Sequence, residues 1–451
     1  MRRCPSWVRR TCAVAAALLV TGCAAAGGAQ SSAPGRPQRP GTQGGAMRRS
    51  GADLLGGPSA SGVTSPSASV ARAGRTARRQ AAVSRPVAVR PPLAGQRVTA
   101  ASVLLPPPRA VLPAMSVRQL AGQRIIYSYR GLTPPARLLR RIRHGQAAGV
   151  IFFASNIASR AQLSAVAAEL QQAAMSRHNP VREPLLLMTD QEGGVVRRLP
   201  GAPVLSEKQI GAAANPGAGA TRAGRGAGRN LHSAGLNVNL APVLDVYRQA
   251  GNFIDQFGRS YSMDPGVVAA LGADFITAQQ GTGVAATSKH FPGLGAARRA
   301  QNTDERPVTL HLSAHAIRTV DELPYKAAIA AGVKLVMVSW AAYPALGSHR
   351  PAGLSSKIVQ GELRQRLGFG GVTVTDALGA RALQAFGTIP NRSVLAATAG
   401  MDLLLCAVQR VREGIQGLNG LAGGYTGGTL NRADFQAAVQ RVIALRTSLA
   451  G

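Results

Sequence analysis

The chain has 451 residues and carries 52 Lys and Arg against 19 Asp and Glu, a formal charge of +33. Its length is enough to bury a sizeable core, and its four cysteines are too few for a disulfide-built scaffold. The arginine excess comes without a helix-turn-helix, zinc-ligand spacing or an aromatic-interleaved basic stripe, so it excludes a reading as a nucleic-acid binder.

Residues 1–22 read as an export signal. Arg2, Arg3, Arg9 and Arg10 precede an apolar run, Ala13 to Val20, that is too short to span a bilayer. The run ends in Leu19-Val20-Thr21-Gly22-Cys23, which resembles a bacterial lipobox, and the resemblance implies cleavage before Cys23 and lipidation of its thiol. The protein is therefore expected to be exported and lipid-anchored to the outer face of the membrane. Residues 23–112 are rich in Ala, Gly, Pro and Arg with one acid, Asp53, and cannot bury enough apolar surface to offset ordering entropy. A disordered basic stalk is expected there, attracted to anionic lipid or wall polymers. With Cys4 and Cys12 removed, Cys406 is the one thiol left for the folded part, and it reads as a small buried hydrophobe.

Residues 113–451 alternate short apolar runs with longer helical patterns, the signal for βα units. The expected strands are Arg124 to Tyr127, Val150 to Phe153, Leu185 to Thr189, Asn237 to Ala241, Gly283 to Ser288, Leu335 to Ser339, Gly371 to Thr375 and Asp402 to Leu405. Between them, Ser159 to Ala174, Pro265 to Gln280 and Ser356 to Leu367 carry apolar residues at helical spacing. Eight units predict an α/β fold, a single (β/α)8 barrel. An open doubly wound sheet is disfavoured because no G-x-G-x-x-G turn follows the first strand. One helical pattern, Arg432 to Leu449, follows the eighth strand, so the active site is expected to be completed within this barrel.

Three strand ends carry chemistry. Leu185 to Arg198 reads LLLMTDQEGGVVRR and places Asp190 at a strand's carboxyl end, where barrels build active sites. Ala285 to Gly295 reads AATSKHFPGLG, and Gly371 to Leu378 reads GVTVTDAL. Taken singly, D-Q-E-G-G also fits a solvated acidic turn, and T-D also fits a helix N-cap. Taken in order, D-Q-E-G-G, K-H-F-P-G-x-G and T-D-A-L resemble the glycoside hydrolase family 3 barrel. The likeness is greatest to its single-domain bacterial β-N-acetylhexosaminidases. Asn239 to Val246, Gly258 to Tyr261, Met337 to Trp340 with Tyr343 to Leu346, and Ala399 to Asp402 extend the resemblance from Met115 onward.

The resemblance implies a retaining glycosidase acting on β-linked N-acetylglucosamine, with Asp376 as nucleophile. Asp190, Arg198, Arg259, Lys289 and His290 match positions that hold the sugar, and spacing from Asp190 favours Arg198 over Arg197. His290 reads as a neutral hydrogen-bonding group rather than a metal ligand, because no second His or Cys stands at metal spacing. No metal or other cofactor is implied. The expected partners are an amino-sugar saccharide and, through Cys23, the membrane; a monomer is expected. The acid is where the pattern departs. Hexosaminidases carry a second His and then an Asp-x-His pair after K-H-F-P-G, and that last His is the acid/base. Here the positions read Leu294 and Asn302-Thr303-Asp304. Either Asp304 serves as the acid, provided burial or a neighbouring carboxylate raises its pKa, or acid catalysis is lost. A β-glucosidase-like hydrolase and a catalytically silent glycan-binding lipoprotein remain the alternative readings.

Overall fold

The computed structural model describes residues 112–450. The export segment, Cys23 and nearly all of the segment 23–112 lie outside the described residues. Eight parallel strands close a barrel: β1 (Ile125–Tyr127), β2 (Gly149–Ile151), β3 (Leu186–Thr189), β4 (Val238–Asn239), β5 (Ala285–Phe291), β6 (Leu335–Val338), β7 (Val372–Ala377) and β8 (Leu403–Leu405). Strand β8 pairs with β1 and closes the ring through Leu404 opposite Ile125. The fold is the expected (β/α)8 barrel, and each of the eight apolar runs supplies one strand. A parallel sheet buried on both faces asks for such runs, since both sets of alternating side chains meet protein.

The two sets pack differently. Ile126, Leu186, Val238, Leu335, Val372 and Leu403 fill the barrel interior, while Ile125, Tyr127, Leu187, Val336 and Leu404 meet the surrounding helices. Helix Arg160–Ala174 starts where Ser159 accepts from the Gln162 N–H, and helix Pro265–Gln280 starts where Asp264 accepts from Gly266 and Val267. The Ser356 to Leu367 pattern forms a wide π-type helix over Lys357–Arg366.

The amino-terminal end of the barrel is plugged by helix Arg432–Thr447, whose Val442 and Leu445 join the interior cluster. Asp402, fully buried at the start of β8, accepts from Arg364, from both nitrogens of an Arg441 fork and from the Thr373 N–H. The Met401-Asp402 motif thus ties strand, helix and plug together at the end of the barrel opposite the strands' carboxyl ends. Cys406 is a free, buried thiol whose pKa burial pushes up, in keeping with a packing role.

One expectation is corrected. Two helices follow β8, Val411–Thr426 and Arg432–Thr447, where the sequence pattern suggested one. The missed helix reads VREGIQGLNGLAGGYT, and its glycines hide the apolar period. One of them is there for close approach: a Cβ on Gly414 would lie 2.3 Å from the buried ring of Tyr127. Gly414→Ala should therefore lower the unfolding free energy by about 1–3 kcal/mol through overpacking. Gly423→Ala, in the same helix with open space around it, should be neutral or stabilising by up to about 1 kcal/mol. Chemical denaturation of the two variants checks the contrast.

Candidate active site

Strand β3 ends at Thr189, so Asp190 emerges at the carboxyl end of the barrel. The next residues fold back as a two-stranded ribbon, Gln191–Gly193 against Val196–Arg197. Gly193 makes the turn at φ 120°, and a Cβ there would fall 2.2 Å from the Leu205 carbonyl oxygen. The amide of Gln191 locks the ribbon by accepting from the N–H groups of Arg198 and Leu199 and donating to the Leu199 and Ala202 carbonyls. Asn239, at the end of β4, accepts from the Gln191 N–H and donates to its carbonyl.

Strand β5 carries Lys289 and His290 into the same space. The Lys289 Nζ lies 2.8 Å from Asp190 Oδ1 and 2.7 Å from Glu192 Oε1. Arg259 grips Glu192 bidentately, with Nε at 2.9 Å and Nη2 at 2.8 Å. Its Nη2 also stands 3.5 Å from His290 Nε2, while His290 Nδ1 meets Asp245 Oδ2 at 2.8 Å. At the other end of the chain of charges, Arg198 Nη2 approaches Asp190 Oδ2 at 3.9 Å. Arg197 instead donates to the Gly201 carbonyl at the surface. All five residues expected to hold a sugar are therefore brought together.

The electrostatics follow from that alternation. Burial would raise the Asp190 and Glu192 carboxyls, yet Lys289 with Arg198, and Arg259 with Lys289, outweigh it and hold both below the ordinary range. The same pairs outweigh the desolvation of Lys289 and Arg259, so both cations stay charged. Lys289 is 2% exposed and both carboxylates it meets lie against it, so it acts as a buried clamp, while Asp190 and Arg198 face the mouth.

The two remaining carboxyls stand at neighbouring loops. Asp376 ends β7, where Trp340 Nε1 donates to the Ala377 carbonyl at 2.9 Å and fixes the strand end. Asp304 lies in the loop after β5. Asn302 there accepts from the Asp304 N–H, forming an Asx turn, and the N–H groups of Arg381 and Ala382 donate to the Asp304 and Thr303 carbonyls. The loop is thus stitched to the segment just past Asp376. The pKa of Asp304 is raised to about 6, by desolvation first and then by the charge of Asp376, against the opposing pull of His290 and Arg259. Asp304 keeps an open side to water, which screens part of these interactions. Leu294, where the resemblance to hexosaminidases leads one to expect a second histidine, is buried in the core.

Sequence reasoning gave no role to Glu192, Asp245 or Glu207. Glu192 was visible as the third letter of D-Q-E-G-G, yet only the fold shows it between two cations. Glu207, behind it, accepts from the Val243 N–H; burial and the Glu192 charge raise its pKa well above the ordinary value. Nothing in the local sequence marks that residue. Among the described residues no group of three or more His, Cys, Asp or Glu is arranged to hold a metal ion.

Residues 118–445 match the model of the glycosyl hydrolase family 3 N-terminal domain. The chain belongs to glycosyl hydrolase family 3. It is a glycosidase acting on O-glycosyl compounds. An uncharacterized secreted glycosyl hydrolase of Arthroderma benhamiae is 44% identical over 338 residues, covering 74% of this chain and 95% of that protein. A β-hexosaminidase of Stenotrophomonas maltophilia is 34% identical over 292 residues, covering 62% of this chain and 82% of the relative. Among solved structures, a family 3 β-N-acetylglucosaminidase from a Paenibacillus species superposes with a TM-score of 0.70 at 34% identity. That match covers 75% of this chain and 63% of the Paenibacillus chain.

The charge alternation sets the stability of this family 3 site. Lys289→Met would leave Asp190 and Glu192 buried against an apolar chain, and breaking such a pair costs about 3–5 kcal/mol. Chemical denaturation should show that loss; a variant as stable as the parent would mean the clamp is dispensable.

Proposed function

We propose that this chain is an exported, retaining β-N-acetylhexosaminidase in which Asp376 is the nucleophile and Asp304 the general acid. Asp190, Arg198, Arg259, Lys289 and His290 form the subsite for the terminal sugar, Asp190 and Arg198 by direct contact and Lys289 chiefly by clamping Asp190. The observation that carries the reading is the pair Asp376 and Asp304: two carboxyls at adjacent loop ends, one of which desolvation and then the other's charge raise to a pKa of about 6. In the first step the Asp376 carboxylate bonds to the anomeric carbon while Asp304 gives its proton to the departing oxygen. The resulting ester removes the charge of Asp376, so the pKa of Asp304 falls and the residue stays deprotonated, available as the base. It then takes a proton from water as water attacks the anomeric carbon and releases Asp376.

The choice of sugar is supported by the names of the Stenotrophomonas and Paenibacillus relatives, and export by the relative described as secreted. The Leu19 to Cys23 pattern supports attachment of the exported chain through a lipidated Cys23. Cys23→Ser should then move the protein from the membrane to the soluble fraction; equal membrane association without acyl label in the parent would overturn the anchor.

Aryl β-glycosides of graded leaving-group ability, with and without the 2-acetamido group, test the chemistry. Asp304→Ala should slow poor leaving groups by about 10²–10⁴-fold while sparing activated phenolates. In the parent, kcat/KM on poor leaving groups should fall as pH rises through about 6, because the acid is lost there, and the variant should lack that limb. Asp376→Asn should abolish turnover of every member. Equal losses across leaving groups would make Asp304 a positioning residue, and hydrolysis confined to sugars lacking the acetamido group would overturn the substrate assignment.

A further inference from the structure

His290 is a ring whose polarity the surrounding groups decide. His290 Nδ1 lies 2.8 Å from Asp245 Oδ2, and Asp245 is fully buried. The other Asp245 oxygen accepts from the backbone N–H of Leu294 at 2.6 Å and of His290 at 3.3 Å. An ionised carboxylate only accepts, so the proton on this side of the ring belongs to Nδ1. On the far side, Nε2 faces the Arg259 guanidinium at 3.5 Å, a group with donors and no acceptor. A second ring proton there would point at a fixed cation. Asp304 is a further charged group near this ring.

We propose that Asp245 is a positioning residue that fixes His290 as the Nδ1–H tautomer, leaving the single Nε2 lone pair to accept from Arg259 Nη2 and hold that guanidinium in place. Through its second oxygen, Asp245 also holds the Phe291 to Leu294 turn from which the Asp304 loop departs. The identity of the sugar rests on the function proposed above, but the tautomer does not, so the two can fail separately.

Asp245→Asn is the informative change because it keeps shape. Its amide oxygen can still accept from the Leu294 N–H, whereas its NH2 group donates to Nδ1 and drives the proton to Nε2. Nitrogen-15 spectra of histidine-labelled protein, with the His290 signal assigned by its loss in His290→Gln, read the tautomer directly and need no substrate. Expected are a protonated Nδ1 and bare Nε2 in the parent, reversed in Asp245→Asn. The variant should lose about 10–100-fold in kcat/KM, chiefly as a raised KM, the usual cost of leaving a buried polar group mispaired. On a His290→Ala background the same change should cost little more. A parent Nε2 that carries the proton overturns the proposal even if the variant does not fold. So does an unchanged tautomer in Asp245→Asn, or a loss that falls on kcat with KM unmoved, as a purely structural role would give.

Discussion

A lysine ammonium buried to 2% exposure must find negative charge, and Lys289 finds it on both sides, in Asp190 and Glu192. Those two carboxylates are borne by the turn after β3, while the lysine belongs to β5. The contact therefore fixes the end of one strand against a second strand across the mouth. From there polar contacts run outward: Glu192 to Arg259, Arg259 to His290, His290 to Asp245, and on the other flank Asp190 to Arg198. Removing Lys289 leaves each carboxylate with one cation instead of two, Asp190 with Arg198 and Glu192 with Arg259. Asp190, which meets Arg198 on one side, is held from behind by this clamp.

The acid side of the mouth is built on a different principle. Asp376 is fixed by its strand and by Trp340, but Asp304 sits in a loop held by backbone hydrogen bonds and one Asx turn. No cation pairs with Asp304, so desolvation and the Asp376 charge dominate and its pKa rises instead of falling. The same residue type is thus held ionised at Asp190 and protonated more readily at Asp304. The difference lies in whether a cation pairs with the carboxylate directly, as Lys289 does with Asp190. Asn302, where the family has an aspartate, no longer offers a carboxylate to a histidine and serves the turn.

Much of the fold was legible because a parallel barrel writes itself into a chain as repeated apolar runs at βα spacing, and all eight runs became strands. Boundaries moved by a residue or two, since hydrogen bonding and not hydrophobicity ends a strand. The helix Val411–Thr426 escaped because its glycines are chosen for contact with neighbours such as Tyr127, which erases the apolar period. In the site, Asp190, Arg198, Arg259, Lys289, His290, Asp304 and Asp376 were found by motif, and the fold gathers them at one end of the barrel. Glu207 was illegible, because its surroundings come from Val243 and Glu192, which are remote in sequence.

The sequence by itself determined the fold class, the family and the residue types at each strand end, because these depend on local periodicity and on motifs a few residues long. It could name Asp304 as an acid only on a condition about its surroundings. Tertiary structure alone decided that condition, along with which carboxylates meet cations, which ring nitrogen of His290 faces Asp245, and that Lys289 is a clamp rather than an open hand. Protonation and charge pairing depend on distances between groups up to about a hundred residues apart, and no local pattern encodes those distances.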